Sequence, residues 1–268
     1  MNENVHDLSK GWNSLTAELL YAYMVWDASS NGELAFYERR IRANGGIALV
    51  PACGTGRHMF PLIERGLEVH GADISADALQ FARRAAEAKK VHLTLYHQRM
   101  EECDIPNQYG TIFVDGTFQI IVDRQQVFST LTRFLHHLSP GGQLLLELYV
   151  PSEATQGPTV NDAEHPIRWE PFPRRGEKGE IVTTLWSESV DLFEQTLVSK
   201  RRCDLYVDGN LIRSEVHAHS MLWYFQHEIV MMLERVGFED IRTYGDHTDQ
   251  PATKDSKSVV YGARRPLE

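Results

Sequence analysis

The 268-residue sequence has few cysteines, fewer basic than acidic residues and no long hydrophobic segment. Cys53, Cys103 and Cys203 lie far apart and form no Cys-x-x-Cys pair, which argues against a disulfide framework and favours a reducing compartment. The 27 lysines and arginines against 37 acids leave a net charge of −10, which argues against nucleic acid as the main partner. The longest apolar runs, such as Leu144–Leu146 and Ile229–Leu233, are too short to cross a bilayer, and no signal-peptide pattern opens the chain. We therefore expect a cytoplasmic protein with neither a nucleic-acid nor a membrane partner.

Between about residue 46 and residue 150, short apolar runs alternate with stretches of helical periodicity. Ser75 and Asp123 are candidate N-caps for two of the predicted helices. The predicted strands are Ile47–Val50, Leu67–Ala72, His92–Tyr96, Thr111–Val114 and Gln143–Val150, with Pro140–Gly142 as the break before the last one. Strands that alternate with helices form parallel sheets covered on both faces. The pattern therefore predicts a doubly wound α/β domain.

The sequence changes character after Val150. Three β segments follow one another without intervening helices, which indicates antiparallel pairing, with a hairpin turn at Asp208–Asn210. A helix around residues 229–236 and two more strands then complete the first unit. We predict a seven-stranded, mostly parallel Rossmann-like sheet formed by residues 1–150 and 225–268, with a small antiparallel β insert at residues 151–224. The predicted later strands are Glu180–Glu188, Leu192–Tyr206, Leu211–Trp223, Phe238–Tyr244 and Ser256–Arg264.

The sharpest chemical signal is the glycine-rich run Ala52-Cys53-Gly54-Thr55-Gly56, directly after the first predicted strand. Small residues let the backbone turn tightly and approach a ligand, and the following helix presents free N–H groups to it. Asp73 stands at the end of the second predicted strand, where a carboxylate can accept both hydroxyls of a ribose. The loop and the acid at this spacing predict a nucleoside site.

Several nucleotide and hydrolase signatures are missing. Met59 stands where the dinucleotide fingerprint G-x-G-x-x-G needs its third glycine, which argues against a pyrophosphate ligand. No Gly-Lys-Ser/Thr occurs, which excludes a P-loop, and no Gly-x-Ser-x-Gly elbow occurs, which removes the nucleophile of an acyl hydrolase.

The run Ala52–Arg57 instead resembles the glycine loop of class I S-adenosylmethionine-dependent methyltransferases, and the resemblance extends from roughly Tyr23 to Arg264. Asp115–Arg124 is similar to the segment after the fourth strand of small-molecule members, and Leu138–Gly142 is similar to the turn before their fifth strand. The resemblance implies a methyltransferase that uses S-adenosyl-L-methionine and acts on a small organic molecule.

The resemblance also implies where the cofactor is held. The adenine is expected between Ile74 and Met100, near Glu101, with Phe118 closing the pocket and Gln119 in the same segment. The N-terminal aromatic segment with Tyr23 is expected either to pack on the sheet or, as the resemblance implies, to fold over the cofactor. The candidate cofactor-binding residues are Tyr23, Ala52, Cys53, Gly54, Thr55, Gly56, Asp73, Ile74, Met100, Glu101, Phe118 and Gln119.

Two positions depart from the family pattern. Val50 stands where the first strand usually ends in an acid, and Arg99 stands where an aspartate often accepts from the adenine amine. We expect Arg99 to point away from the ring. These departures keep open the alternative of a non-catalytic or degenerate protein that binds S-adenosylmethionine or S-adenosylhomocysteine. An NAD-dependent oxidoreductase is the weaker alternative, because the third glycine is missing.

A general base is needed only when the methyl acceptor must lose a proton. Glu147 and His219 are the catalytic candidates, with His217 as a third. Glu215, His217 and His219 alternate on a predicted strand as metal ligands could, but no second ligand motif joins them, so we predict no metal site.

The insert leaves the sheet at the edge where ligands bind in open α/β folds, so it is predicted to form a substrate lid. Its aromatic residues are expected either to contact the acceptor or to fill the core of the insert. The sequence leaves open whether the protein is a monomer or a homodimer. The aromatic residues are Trp169, Phe172, Trp186, Trp223 and Tyr224.

Overall fold

The computed structural model describes residues 5–7, 32–148, 167–168, 172–173, 179–256 and 258–268. These residues form two β-sheets and five α-helices of six residues or more. Among the described helices, none is both long and apolar enough to span a membrane.

The larger sheet has seven strands in the order β12-β13-β6-β5-β2-β3-β4, and within it only β13 runs antiparallel to its neighbours. The predicted doubly wound, mostly parallel Rossmann-like sheet is therefore confirmed. Its strands are β2 (Ala48–Pro51), β3 (Val69–Asp73), β4 (Thr94–His97), β5 (Tyr109–Val114), β6 (Leu138–Leu148), β12 (Glu239–Gly245) and β13 (Val259–Arg264).

Five helices cover this sheet, and two of them begin at the predicted caps. The Ser75 side chain accepts from the backbone N–H of Ala78, and the Asp123 side chain accepts from Gln125 and Gln126, so each cap satisfies otherwise unpaired donors. The helices are α1 (Glu33–Asn44), α2 (Met59–Glu64), α3 (Ala76–Lys89), α4 (Arg124–His137) and α5 (Gln226–Val236).

Alternate residues of the central strands face two separate cores. In β6, Leu144 and Leu146 pack with α4 and α5, whereas Leu145 packs with α1, α2 and α3. Both faces of the sheet are thus apolar, as strands covered on both sides require. The parallel strands consequently bring their carboxyl ends to one edge of the domain, where the loops that follow β2, β3, β5 and β12 lie.

The start of β6 differs from the prediction. The strand begins at Leu138 and continues through Pro140–Gly142, which the sequence indicated as a break. The C-terminal chain explains the difference, because Gly141 N–H donates to the Arg265 carbonyl and Arg265 N–H donates to the Gly142 carbonyl. Pairing with a segment more than 120 residues away overrides the local turn signal.

The second sheet contains the insert. Strands β9 (Gly179–Asp191), β10 (Thr196–Val207) and β11 (Asn210–Leu222) pair antiparallel, as predicted, and the short strands β7 (Ile167–Arg168) and β8 (Phe172–Pro173) pair with β9. Residues Val5–Asp7 form β1, which pairs parallel to β11. The beginning of the chain therefore joins the insert's sheet, a pairing that no sequence pattern indicated.

Polar contacts attach the insert to the larger domain. The Gln119 side chain donates to the Leu222 carbonyl at 2.9 Å, and the Arg124 guanidinium donates to the Glu194 carbonyl at 2.6 Å. Trp223 is buried against Leu197 and Met221, whereas Tyr224 is buried in the core beside α4 and α5. These two aromatic residues therefore fill cores rather than form an open wall. The side chains of Trp169, Phe172 and Trp186 lie outside the described residues.

Candidate active site

The glycine-rich loop follows β2 and turns back sharply. Ala52, Gly54 and Gly56 all have left-handed backbone torsions, with φ of 55°, 54° and 89°. The Cys53 N–H donates to the Ala72 carbonyl at 3.0 Å, which fastens the loop to β3. A Cβ at Gly56 would lie 2.8 Å from the Phe60 ring, so glycine is required there. The loop thus holds its backbone close to the carboxyl edge of the sheet.

Ala52 occupies a conformation that costs alanine about 1 kcal/mol or more. We expect Ala52→Gly to raise the free energy of unfolding by about 0.5–1 kcal/mol, measured by urea denaturation. The matched control is Ala35→Gly at an exposed site in α1, which should lower it by about 1 kcal/mol. A loss of stability at both positions would contradict the strained conformation.

Asp73 lies at the end of β3, directly beside the loop. Its two carboxylate oxygens accept from the Gly54 N–H at 2.7 Å and from the Ser75 N–H at 2.8 Å. Burial raises the pKa of Asp73, while these backbone hydrogen bonds oppose the rise by favouring the charged form. A carboxylate offers about four acceptor sites, more than the backbone donors use, so Asp73 can still accept a hydroxyl group of a ribose. The loop and Asp73 therefore fit a nucleoside cofactor.

The close packing of α2 on the sheet depends on Gly71. Met59, at the position of the missing third glycine, lies over β3, where a Cβ on Gly71 would come within 2.5 Å of the Met59 sulfur and 2.7 Å of the Cys53 sulfur. In the dinucleotide fingerprint, a glycine in the helix allows close packing of helix and strand. Here Gly71 in the neighbouring strand β3 provides that space instead.

The residues predicted near the adenine lie at the ends of β3, β4 and β5. The Ile74 carbonyl lies 2.7 Å from the His97 ring nitrogen, and Met100 is buried in the core. The Arg99 guanidinium is bonded to the Glu101 carboxylate at 2.6 and 2.8 Å, so these two predicted residues engage each other.

Phe118 and Gln119 are fully buried, and Gln119 holds the insert through Leu222. Tyr23 and the side chains of His217 and His219 lie outside the described residues.

A charged cluster beside the loop was not predicted. It comprises Glu33, Arg57, His58 and Asp115, and we call it the Arg57 cluster. One Arg57 nitrogen lies 2.8 Å from Glu33, 2.9 Å from Asp115 and 2.9 Å from the His58 ring nitrogen. His58 also contacts Glu33 directly. The cluster joins the loop to the start of α1 and to the end of β5, so it orders the loop although Val50 supplies no acid.

The Glu33, His58 and Asp115 ligand atoms lie within 4.8 Å of one another, a spacing that a metal ion could use. The Arg57 nitrogen already lies between these three atoms and supplies a cation there. A guanidinium that is hydrogen-bonded to two carboxylates compensates one of their two negative charges and occupies the place that a cation would take.

Glu147 lies near the carboxyl end of β6 and pairs with His247, which follows β12. The two side chains are 3.2 Å apart, and both are largely buried. Burial and the neighbouring Asp115 raise the pKa of Glu147 to about 7. Burial opposes the charged form of His247, but the Glu147 carboxylate outweighs it and raises the pKa of His247. We call these residues the Glu147–His247 pair.

Asp115 connects the pair to the Arg57 cluster. Burial opposes its ionisation, but hydrogen bonding to Glu147 and the charges of His58 and Arg57 outweigh burial and hold the pKa of Asp115 well below its usual range. Asp115 therefore stays ionised, and the proton between the two carboxyls belongs to Glu147.

Tyr37 lies beneath this group of charges. Its ring stacks on Phe113 with centroids 4.4 Å apart, and its hydroxyl is buried without a hydrogen-bond partner among the described residues. Burial, followed by the charges of Asp115, Glu147 and Glu33, raises the pKa of Tyr37, so the phenol stays neutral. A buried hydroxyl near carboxylates can donate to one of them or to a ligand after a small rotation.

Sequence reasoning named Glu147 but missed its partners Asp115 and His247, because they come from separate segments of the chain. One usable signal was present: Asp115 and Glu147 are acids at the carboxyl ends of two strands that the sequence placed in one parallel sheet. His247 had no comparable signal, since its position depends on the turn after β12.

The Glu147–His247 pair predicts a pH-dependent stability. Both pKa values are higher in the folded than in the unfolded chain, so the stabilising contribution is complete near pH 4 and is lost as the pH rises through about 7. We expect the free energy of unfolding to fall between pH 5 and pH 8, and Glu147→Gln to flatten this decline by on the order of 2 kcal/mol. Urea titrations at several pH values measure the difference, and identical slopes for both proteins would contradict it.

Comparison with known families agrees with this site. Residues 48–142, which span β2 to the start of β6 and include the loop, Asp73 and Asp115, match the family model of a methyltransferase domain.

Sequence relatives extend the match. The protein YqeM of Bacillus subtilis (strain 168) is 23% identical over 224 residues, covering 80% of this chain and 82% of YqeM. A glycine/sarcosine N-methyltransferase of Halorhodospira halochloris is 30% identical over 127 residues, covering 46% of this chain and 47% of that enzyme.

The fold is also that of a solved methyltransferase. A crystal structure of an S-adenosylmethionine-dependent methyltransferase from Clostridium acetobutylicum ATCC 824 superposes with a TM-score of 0.74 at 14% identity, covering 94% of this chain and 98% of that one. Residues 48–142 therefore form a methyltransferase domain, and the sheet that carries the loop and Asp73 has the fold of that S-adenosylmethionine-dependent enzyme.

Proposed function

We propose that this chain is a methyltransferase that transfers the methyl group of S-adenosyl-L-methionine to a nitrogen atom of a small, polar amine. The observation that carries the proposal is the buried Glu147–His247 pair beside Asp115, at the ends of the neighbouring strands β5 and β6. Carboxylates in a buried site favour an acceptor that carries an ammonium group, because opposite charges attract strongly at low dielectric. The glycine/sarcosine N-methyltransferase among the relatives supports a nitrogen acceptor.

S-adenosyl-L-methionine supplies a methyl group that is activated on a sulfonium. In this proposal, Asp73 accepts the ribose hydroxyls and the loop Ala52–Gly56 faces the methionine end. Ile74, Met100 and Phe118 flank the adenine, while Glu101, Gln119 and Tyr23 complete the cofactor pocket. The protein mainly positions the reactants for in-line displacement and excludes water from them.

An ammonium must lose a proton before its nitrogen can attack. Glu147 is proposed to take this proton, because a base with a pKa near the working pH is the most effective one. The hydrogen bond from His247 lowers the pKa of Glu147, while burial and Asp115 raise it, so His247 is a positioning residue for the base. His219 remains a second proposed base.

The division of the chain follows the same proposal. Residues 1–150 and 225–268, apart from β1, which joins the insert's sheet, hold the cofactor. Residues 151–224 form a substrate lid that Gln119 anchors through Leu222. We propose a cytoplasmic protein, monomeric or homodimeric, that acts on a free small molecule without a nucleic-acid partner.

The proposal is tested by incubating the protein with S-adenosyl-L-methionine and a panel of acceptors. The panel contains glycine, sarcosine, an amino sugar, a catechol and a carboxylic acid, and mass spectrometry locates the added methyl group. N-methylation confined to the amines supports the proposal. O-methylation of the catechol or the acid overturns the nitrogen assignment, and cofactor binding without any product supports the non-catalytic alternative.

A further inference from the structure

A pocket rich in arginine lies outside the candidate active site. It is an open depression of about 280 Å³ between α1 and the strands β12, β13 and β6. Arg39, Arg40 and Arg264 contribute three positive charges, and Asp249 contributes the one negative charge among the residues that line it. Asp240, just outside the lining, lies 3.6 Å from Arg264, so the site keeps a surplus of one positive charge in a protein of net charge −10. We call it the arginine pocket.

Two of the three guanidinium groups are held in place by the fold. Arg40 is 8% exposed and lies between the rings of Phe36 and Tyr244, at 3.5 and 4.2 Å from their centroids. Arg264 donates to the Asn44 side chain at 3.1 Å and to the Gly141 carbonyl at 2.7 Å. Positioned guanidinium groups lose little entropy when they bind an oxyanion.

The Asp249 carboxylate contacts Arg39 and Arg40 in the way that an external anion would. One of its oxygens accepts from Arg40 at 2.9 Å and the other accepts from Arg39 at 3.4 Å. The Asp249 side chain is 65% exposed, so water competes with these bonds and the carboxylate can be displaced at small cost. Arg39 is also half exposed, which leaves most of its donors available.

We propose that the arginine pocket binds a phosphate group, which replaces Asp249 on Arg39 and Arg40. A phosphate offers several oxygens in a geometry that guanidinium groups bind through paired hydrogen bonds, and it carries more charge than the carboxylate that it replaces. The ligand class is therefore inorganic phosphate or a small phosphate monoester.

Displacement of Asp249 from the two arginines is also expected to affect His247, which lies two residues earlier in the same turn. Asp246 and His247 both have left-handed backbone torsions, with φ of 50° and 54°, so this turn needs anchors at its ends. The Phe36 ring contacts both the Arg40 guanidinium and the His247 ring, the latter at 5.7 Å. Phosphate binding is therefore expected to change the surroundings of His247. The effect on catalysis rests on the proposed function, whereas phosphate binding does not.

The test is calorimetric titration of the full chain with sodium phosphate, with sodium acetate at equal ionic strength as the comparison. We expect Arg39→Gln to weaken phosphate binding by about tenfold, since a hydrogen bond between charged groups is lost. Asp249→Asn should strengthen binding by about two- to fivefold, because the internal competitor is removed. The matched control is Arg83→Gln, which removes the same charge from an exposed position in α3.

Each result decides the proposal. The site is supported if Asp249→Asn binds phosphate more strongly and Arg39→Gln binds it more weakly, while Arg83→Gln binds it as the unaltered protein does. Absence of binding, equal losses in Arg39→Gln and Arg83→Gln, or equal affinity for acetate overturns it. NMR of the His247 ring during the phosphate titration tests the linkage separately, and an unmoved signal at saturation overturns the linkage.

Discussion

Asp73→Ala is expected to weaken S-adenosyl-L-methionine binding by roughly tenfold to a hundredfold, the value of one or two charge-assisted hydrogen bonds. The loss has two sources, since Asp73 is positioned to bind the ribose and also accepts from Gly54 in the loop. Calorimetric titration with the cofactor and with S-adenosylhomocysteine measures the effect, and both ligands should lose equal affinity because they share the ribose.

Asp77→Ala is the matched control, because Asp77 is exposed in the first turn of α3, four residues beyond Asp73. It removes the same charge and should leave affinity within about twofold, as expected for an exposed charge. Unchanged affinity in Asp73→Ala would remove the ribose assignment. An equal loss in both variants would indicate a general electrostatic effect instead.

Glu147→Gln is expected to lower kcat by a factor of about 10²–10⁴, the usual contribution of a general base, with a smaller effect on cofactor binding. The rate of the unaltered enzyme should rise with pH through about 7 and then level off, because the base acts only when it is ionised. The variant should lose this inflection. A preserved inflection would show that another group accepts the proton.

His247→Asn separates positioning from structure. The His247 bond lowers the pKa of Glu147, so its removal should move the inflection in the pH profile to higher pH while the plateau rate largely persists. A merely structural residue would lower the rate at every pH without moving the inflection. Thermal unfolding of each variant at the assay pH confirms that the folded state is retained.

The fold was predictable from the sequence where local signals and long-range packing agree. Ser75 and Asp123 cap helices as predicted, and the predicted strands of the larger sheet overlap the observed ones. Agreement failed where pairing between distant segments decides the structure. β6 continues through Pro140–Gly142 because it pairs with residue 265, and Val5–Asp7 pairs with β11 although three residues show no strand pattern.

The candidate site was predictable only where it is contiguous or follows a spacing rule. The loop and Asp73 satisfy such a rule, and the hydrogen bond from Gly54 to Asp73 places them side by side, as the spacing predicts. The Arg57 cluster was not found, because Glu33 and Asp115 meet Arg57 only after α1 and β5 have packed on the sheet. The first strand ends without an acid at Val50. The negative charges that hold the loop come instead from Glu33 and Asp115, which pair with Arg57.

Gly71 has a consequence for how such sequences evolve. Its missing side chain provides the space that the Met59 sulfur fills, so the two positions share one volume across the interface of α2 and β3. A larger residue at 71 would also meet the Cys53 sulfur, so it requires smaller residues at both 59 and 53, and substitutions at these sites should therefore be coupled rather than independent. A fingerprint read along consecutive residues detects only one partner of such a pair. Searches for nucleoside-binding folds gain sensitivity when the residue opposite on the neighbouring strand is scored with the loop.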